Sequence, residues 1–418
     1  MIQDAIHRAI LRHIDDVQEW FREQKKSAFL PFYSSFDLRD SSFKVAPVDA
    51  NAFPAGFNNI CQVDKESAVD LVKTYLSTHY PELKKGILLL TEEHTQNPYY
   101  WDNVVALKTL LEQAGQRVVL AIPGQEPGKQ KLKSASGYEV ELYHALRQGE
   151  SVQVNGFEPE LIISNNDFSQ SYENWIEGLQ TPINPPHTMG WHRRRKDQFF
   201  SVYNGLAESF ARLIDIDPWS LQIETRLFKN FDLTEENTRA LLAEQVQSLI
   251  SDLEKAYEAR GIRQKPFVYI KNNSGTYGLG VIHTHSAEEI LNWSYKARKK
   301  MKAAKGGGGI REVILQEGVA SVVRADEFTA EPVIYMVGCE LAGGFLRSHS
   351  GKGAEESLNS PGAVYRRLCV SDLQVDVEGA PMENVYGWVA RLSFLAVAKE
   401  LQVITGSTAL GRPPSGTT

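Results

Sequence analysis

Cysteine is scarce in this 418-residue chain: only Cys61, Cys339 and Cys369 occur. No CxxC pair or His-rich spacing surrounds them, which argues against a disulfide framework and against a structural zinc site. Cys61 reads as a packed side chain rather than a reactive one. Long apolar runs are also missing, and no stretch approaches the roughly 20 residues that span a bilayer. The opening MIQDAIHRAILRHIDDVQEWFREQ lacks the basic start, apolar run and cleavage site of a signal peptide. The expectation is therefore a cytoplasmic protein with no membrane partner. Basic residues are not in excess either, with 45 Lys and Arg against 52 Asp and Glu and a net charge of −7. That disfavours nucleic acid as a partner but leaves room for an anionic ligand in a local positive pocket. No internal repeat, Walker A loop, Rossmann fingerprint or Ser-His-Asp arrangement is visible.

What remains is ordinary for a globular enzyme: 42% hydrophobic and 23% charged residues, in a chain long enough for two or three packed units. Ile6, Ile10, Leu11 and Ile14 predict a first helix. Pro31 to Asp64 reads as irregular, yet its six phenylalanine and tyrosine residues argue for an ordered segment packed over a site. An αβαβ pattern then begins. Helices are predicted over Ala68–Leu76 and Asn97–Ala114, and strands over Gly86–Thr91, Arg117–Ile122 and Leu161–Ser164. That order implies right-handed crossovers and a parallel sheet, with ligands at the strands' carboxyl ends. Two such ends are TEEHTQNPYYW and SNNDFS. A helix over Thr234–Arg260 connects to a second texture of short strands with Gly-rich turns, an antiparallel framework. Residues 302–313, with four consecutive glycines, read as a loop. Asn384–Leu401 is predicted to be the last helix, and the tail beyond it to be frayed.

The strongest local signal is PFVYIKNNSGTYGLGVIHTHSAEEI. An alternating strand ends in Lys271, a loop carries Ser274, Gly275, Gly278 and Gly280, a second strand follows, and Ser286 and Glu289 have capping-box spacing. Glycines let backbone N–H groups approach phosphate oxygens, and a strand lysine adds a point charge. Taken alone, such a hairpin is more often structural. Two later features change the balance: EVILQEGV, ending in Gln316-Glu317-Gly318-Val319, and EPVIYMVGCELAGGFLR, ending in Arg347.

This order resembles the ATP-grasp superfamily. The resemblance implies phosphate contacts from Lys271 and the Ser274–Gly280 loop, adenine at Gln316, Glu317 and Val319, and Arg347 on the transferred group. SHSGKGAEESLNSPGA resembles the flexible loop of glutathione synthetase, and TPINPPHTMGWHRRRKDQFF the step that precedes the nucleotide half in these ligases. Together NAFPAGFNNICQVD, TEEHTQNPYYWDN, IISNNDFS, INPPHTMGWHRRRKDQFF and IKNNSGTYGLGV look like the proteobacterial type of glutamate–cysteine ligase, over nearly the whole chain. The implied fold is α/β (α+β), with an N-terminal parallel-sheet αβ domain followed by an ATP-grasp-like domain with antiparallel sheets. The expected units are residues 1–64, 65–233, 234–401 and a tail of 402–418. The implied activity joins the γ-carboxylate of glutamate to the amine of cysteine through an acyl phosphate, using ATP and Mg²⁺. Other amino-acid substrates, or a nucleotide-binding regulator without ligase activity, stay open, as does assembly of identical chains.

One departure matters. ATP-grasp ligases place an Asp and then Glu-x-Asn after the last helix to hold Mg²⁺, whereas LQVITGSTALGRPPSGTT carries no acid. Asp326, Glu331 and Asn359 are the metal candidates, since Mg²⁺ needs few carboxylates when phosphate and water complete its shell. For the amino-acid substrate the candidates are Asn58, Asn59, Asn97, Tyr99, Asn165 and Arg194. Four of these have a plainer reading: turn formation for Asn58 and Asn59, helix capping for Asn97 before Pro98, and a solvated basic turn for Arg194 in HRRRK.

Overall fold

The computed structural model describes residues 2–93, 97–232, 235–275, 280–294, 299, 301 and 310–405. Helices α1 (Ile2–Arg12) and α2 (Ile14–Lys26) open the chain. Strands β1 (Tyr33–Asp40) and β2 (Val45–Asn51) follow, then α3 (Gln62–His79). The stretch expected to be irregular is thus mostly a strand pair. Its polar residues at alternate positions, set among Phe36, Leu38, Val45 and Ala50, are the two faces of pleated strands rather than loop polarity.

The middle of the chain is the expected parallel unit. Strands β3 (Ile87–Leu90), β4 (Val118–Gly124) and β8 (Leu161–Ser164) are parallel neighbours, with β3 between the other two. Helix α4 (Pro98–Gln113) is the crossover from β3 to β4, and its cap is as predicted: Asn97 Oδ1 accepts from Tyr99 N at 3.1 Å ahead of Pro98. Strands β5 (Lys129–Lys133), β6 (Glu139–Gln148), β7 (Ser151–Gln153) and β9 (Ile183–Asn184) widen this sheet, and a short α5 (Glu173–Ile176) lies beside it.

After α6 (Lys196–Leu213) a four-stranded sheet forms from β10 (Thr225–Phe228), β11 (Val268–Asn272), β12 (Val281–Thr284) and β13 (Val313–Glu317), in the order β10-β13-β11-β12. Helices α7 (Glu236–Glu258) and α8 (Ala287–Leu291) cover one face, where Val268, Ile270, Val313 and Leu315 join Leu242, Val246, Leu249 and Leu253 in a separate core. Period-2 alternation turns Tyr269 and Lys271 to the opposite face. Leu241, expected in the buried stripe of α7, is exposed.

The last strands are β14 (Arg324–Ala325), β15 (Phe328–Val337), β16 (Glu340–Ser348) and β17 (Val364–Leu368), then β18 (Gln374–Val377) and β19 (Ala380–Glu383). β15 pairs antiparallel with β1, so one sheet runs β17-β16-β15-β1-β2 and joins the two ends of the chain across the expected unit boundaries. Helix α9 (Val385–Thr405) packs against β1, β2 and β15, and extends four residues past the expected end. Residues 406–418, 302–309 and Gly278 lie outside the described residues. No helix among the described residues is long and apolar enough to cross a membrane.

The cysteine expectation needs correction. Cys61, just before α3, is joined in a disulfide to Cys369, which follows β17. A separation of 308 residues hides this pair from spacing arguments. Packing of α3 on β15 and β16, with β17 paired to β16, brings the two together. Cys339 is free and buried, as a small apolar residue would be.

Candidate active site

Two cavities meet between the sheets. The smaller, of about 50 Å³, is lined by Asp37 and Arg39 of β1, Asp49 of β2, Lys196 of α6, Tyr269 and Lys271 of β11, Glu331 of β15, and Gly275, Ser357 and Asn359 from loops. The larger, of about 670 Å³, runs from Arg347 and Asn359 to Glu92, Asn97, Tyr99, Tyr100 and Asp167. Asn359 lines both.

The sheet face explains the chemistry of this wall. Ser35 and Asp37 lie two apart on β1, Asp49 and Asn51 on β2, and Glu331, Val333 and Tyr335 on β15; Phe345 and Arg347 follow on β16 and Tyr365 on β17. All of them line one cavity or the other. Asp37 stands directly opposite Asp49, and Glu331 opposite Arg347. Buried carboxylates need counter-charges, and these are supplied in a chain. Arg347 Nη1 donates to Asp37 at 2.6 Å and to Glu331 at 2.9 Å, and Arg39 Nε donates to the other Glu331 oxygen at 2.6 Å. Lys196 pairs with Asp49. Burial pushes the Asp37 carboxyl up despite Arg347 beside it. Burial also acts on Asp49, but Lys196 and Lys271 hold that carboxyl below its usual value. Among the described residues, the Nε of Arg347 is buried without a partner.

Lys271 is buried on the facing sheet. Its Nζ donates to Val48 O at 2.8 Å and to Gln316 Oε1 at 2.6 Å. Burial lowers its pKa to about 7, against the pull of Asp49. The amine is therefore balanced between charged and neutral near neutral pH, and an arriving polyanion would raise that pKa. Nucleotide binding should then take up a proton at pH 8 through Lys271. Calorimetry of ATP binding in buffers of different ionisation enthalpy should show this uptake in the parent and its absence in Lys271→Met.

The loop after Lys271 is shaped for close approach. Gly275 (φ 117°) and Gly280 (φ 65°) lie in the left-handed region that glycine tolerates. Asn272 N donates to Gly280 O at 3.2 Å, and Asn272 Oδ1 accepts from Ser274 N. Asn273 joins this loop to the start of α6: its carbonyl accepts from Lys196 N, and its side chain bonds Asp197. Over the same face lies the segment 354–357. Arg39 holds the carbonyls of Ala354 and Glu356, Tyr269 Oη donates to Glu355 O at 2.7 Å, and His285 pairs with Glu355.

Several sequence candidates come together here: Lys271, Gly275, Glu331 and Asn359 at the small cavity, and Asn58, Asn59, Asn97, Tyr99 and Arg347 at the large one. Others have different surroundings. Arg194 is buried against Glu400 of α9, donating through Nε at 3.0 Å to each carboxylate oxygen and through Nη1 to Ala50 O. Asn165 is buried too, bonding Tyr33 Oη, Pro54 O and Asn103. Asp326 sits in an exposed turn and pairs with Arg366. Gln316, Glu317 and Val319 are buried and line neither cavity. Glu317 pairs with Lys44 at 2.6 Å, and Gly318 leaves room for the Phe267 ring, which a Cβ there would meet at 2.3 Å.

The residues that sequence reasoning missed are Asp37, Arg39, Asp49, Lys196 and Tyr269. A signal existed: once FDLRD and PVDAN are read as strands, Asp37, Arg39 and Asp49 alternate with the apolar neighbours Phe36, Leu38, Val48 and Ala50. In HRRRK the cavity residue is the last one, Lys196, because the helix starts there, while Arg194 turns inward.

The family model GshA, glutamate-cysteine ligase, matches residues 7–401. The crystal structure of a putative gamma-glutamylcysteine synthetase from Methylobacillus flagellatus KT is similar at 35% identity and a TM-score of 0.86, over 96% of each chain. D-alanyl-alanine synthetase A from Vibrio cholerae O1 biovar eltor str. N16961 aligns at 13% identity and a TM-score of 0.33, over 77% of this chain and 80% of that one, too low to carry an argument. No curated protein matches. With the model match running from α1 into α9, the chain belongs to the glutamate–cysteine ligase family.

Proposed function

We propose that the small cavity takes the phosphates of ATP and the large one the amino-acid substrates, and that the γ-carboxylate of glutamate is activated where the two meet. The observation that carries this reading is Asn359, shared by a cavity lined with Lys271 and one lined with Arg347. Lys271 and the Ser274–Gly280 loop hold the β- and γ-phosphates, and adenine extends along the β11 face past Tyr269 toward Gln316–Val319. The small cavity is far below the roughly 300–1,000 Å³ of a small-molecule site, so the 354–357 segment lifts from β11 to admit the nucleotide.

The donor set fits Mg²⁺: Asp37, Asp49 and Glu331 are hard oxygen ligands lining one cavity, with the Asn359 amide beside them. Before the ion arrives, Arg347, Arg39 and Lys196 neutralise these carboxylates. When bound, Mg²⁺ would offset phosphate charge and align the transferred group. The chain's own residues do the rest. Arg347, held by Asp37 and Glu331, orients the γ-carboxylate, whose oxygen attacks the γ-phosphorus; the bond to the β–γ bridging oxygen breaks and ADP leaves. The amine of cysteine then attacks the acyl carbon, phosphate departs, and the amine proton is lost. Positioning and charge carry such a reaction without a protein nucleophile.

The regulator reading drew its support from the missing C-terminal acids, and Asp37 and Asp49 remove that support. The test is ADP release over amino acids, singly and in pairs. Glutamate plus cysteine should exceed glutamate plus glycine, and D-alanine plus D-alanine, by at least about tenfold, the size of a binding difference near 1.4 kcal/mol. Equal turnover with the other pairs would contradict the substrate assignment and keep the ligase reading.

A further inference from the structure

The loop that carries Asn359 begins with a histidine, and that residue holds the loop's two arms together. Strand β16 ends at Ser348 and β17 begins at Val364; the two stand directly opposite, with Ser348 Oγ donating to Val364 O at 3.2 Å. Residues 349–363 therefore leave the sheet and return to it at one place. Within them Ser357 and Asn359 line the small cavity, and Asn359 to Ala363 line the large one. Resting on the reading of the site given above, we infer that His349 is a positioning residue for phosphoryl transfer, a clamp that keeps Asn359 where the two cavities meet.

The imidazole bonds both arms at once. Gly351 N donates to Nδ1 at 3.0 Å, and Nε2 lies 3.0 Å from Pro361 O. A backbone amide can only donate and a backbone carbonyl can only accept, so the two bonds fix the ring: Nδ1 carries the lone pair and Nε2 the proton. The returning arm fits closely around this ring, since a Cβ at Gly362 would meet Nε2 at 3.0 Å. Both ring nitrogens are thus committed to backbone groups, which suits a residue that positions others rather than one that touches a ligand.

What lies between the clamp and the cavities gives it a purpose. Leu358 is fully buried, and its carbonyl accepts from Ser360 N at 3.0 Å. Asn359 stands between this anchor on one side and the Pro361 carbonyl on the other. Beyond Leu358, the segment 354–357 is held across the nucleotide face by Arg39 and Tyr269. When that segment lifts to admit ATP, Leu358 and the clamped Pro361 keep Asn359 in place. Gly351 is tied to the same ring, so the base of the loop stays shut while its middle moves.

The test is a double-mutant cycle on the full chain, read as kcat for ADP formation at saturating ATP, glutamate and cysteine, beside a thermal melt. His349→Ala should lower kcat by about tenfold, the factor that two ordinary hydrogen bonds supply. Asn359→Ala should lower it at least as much. In the Asn359→Ala background, His349→Ala should cost less than about twofold further, because the clamp then has no side chain to position. Asparagine places an acceptor near Nδ1 and glutamine a donor near Nε2, so His349→Asn and His349→Gln should each restore part of kcat and neither all of it. Should His349→Ala not fold, the cycle is run with His349→Gln. A parent-like kcat in His349→Ala, full restoration by asparagine, or equal losses in both backgrounds would each overturn the clamp alone. An Asn359→Ala protein with the parent's kcat would overturn the reading of the site, and this inference with it.

Discussion

Replacing Lys271 with methionine is expected to weaken ATP binding by about 100-fold and to reduce ligase turnover at least as much, while the protein stays folded. The size follows from a charge-assisted phosphate contact of roughly 1.5–3 kcal/mol at a buried site. Folding survives because the fold has little need of this charge. Burial already lowers the amine's pKa to about 7, so the folded state disfavours its charged form. The sign is that of a depressed base: relative to an ordinary lysine, the folded state gains stability as pH rises from about 7 toward the unfolded value, and methionine removes that dependence. Gln316 keeps a partner in Thr225, and Asp49 keeps Lys196. Calorimetric ATP titration beside a thermal melt checks both halves. Parent-like ATP affinity would remove Lys271 from the phosphate site.

The β11–β12 hairpin was legible in the sequence because its signal is local. A strand, a glycine loop and a second strand lie within twenty residues, and the alternation that turns Lys271 away from the α7 core is visible in FVYIK. Parallel strands β3, β4 and β8 were legible for the same reason, as short apolar runs bounded by turns. The acidic wall was not. Asp37 and Asp49 belong to a strand pair whose partner, β15, lies about three hundred residues later, and nothing local in FDLRD says that its polar side faces a site. Of the three metal candidates, Glu331 and Asn359 line the small cavity, whereas Asp326 is an exposed turn residue paired with Arg366, and the cavity's other acids, Asp37 and Asp49, come from the opposite end of the chain. Arg194 shows the opposite error. Charge density suggested a ligand contact, whereas the residue is buried against Glu400, a partner 206 positions away.

Asp37→Asn is expected to abolish most Mg²⁺-dependent ADP formation, by about 100-fold or more, and Glu331→Gln to do likewise. The loss has two parts. An oxygen ligand becomes a poorer one for a hard cation, and Arg347 loses half of its charge partner and with it the orientation of its guanidinium. Asparagine keeps one acceptor for Arg347 Nη1, so the stability cost should be well short of the 3–5 kcal/mol that follows when a buried charge is left alone. Truncation after Thr405, the end of α9, should leave Mg²⁺-dependent activity intact. The reverse pattern, with full activity in the substitutions and loss on truncation, would move the metal site to the tail.

In the site we propose, strands from both ends of the chain together hold the metal and the phosphates, facing Lys271. The most direct measurement is an anomalous-scattering map of crystals grown with Mn²⁺ and ADP. A manganese peak in contact with Asp37, Asp49 or Glu331, and bridged to the nucleotide's phosphates near Lys271, is the predicted result. A peak at Asp326, or phosphates bound away from β11, would contradict it.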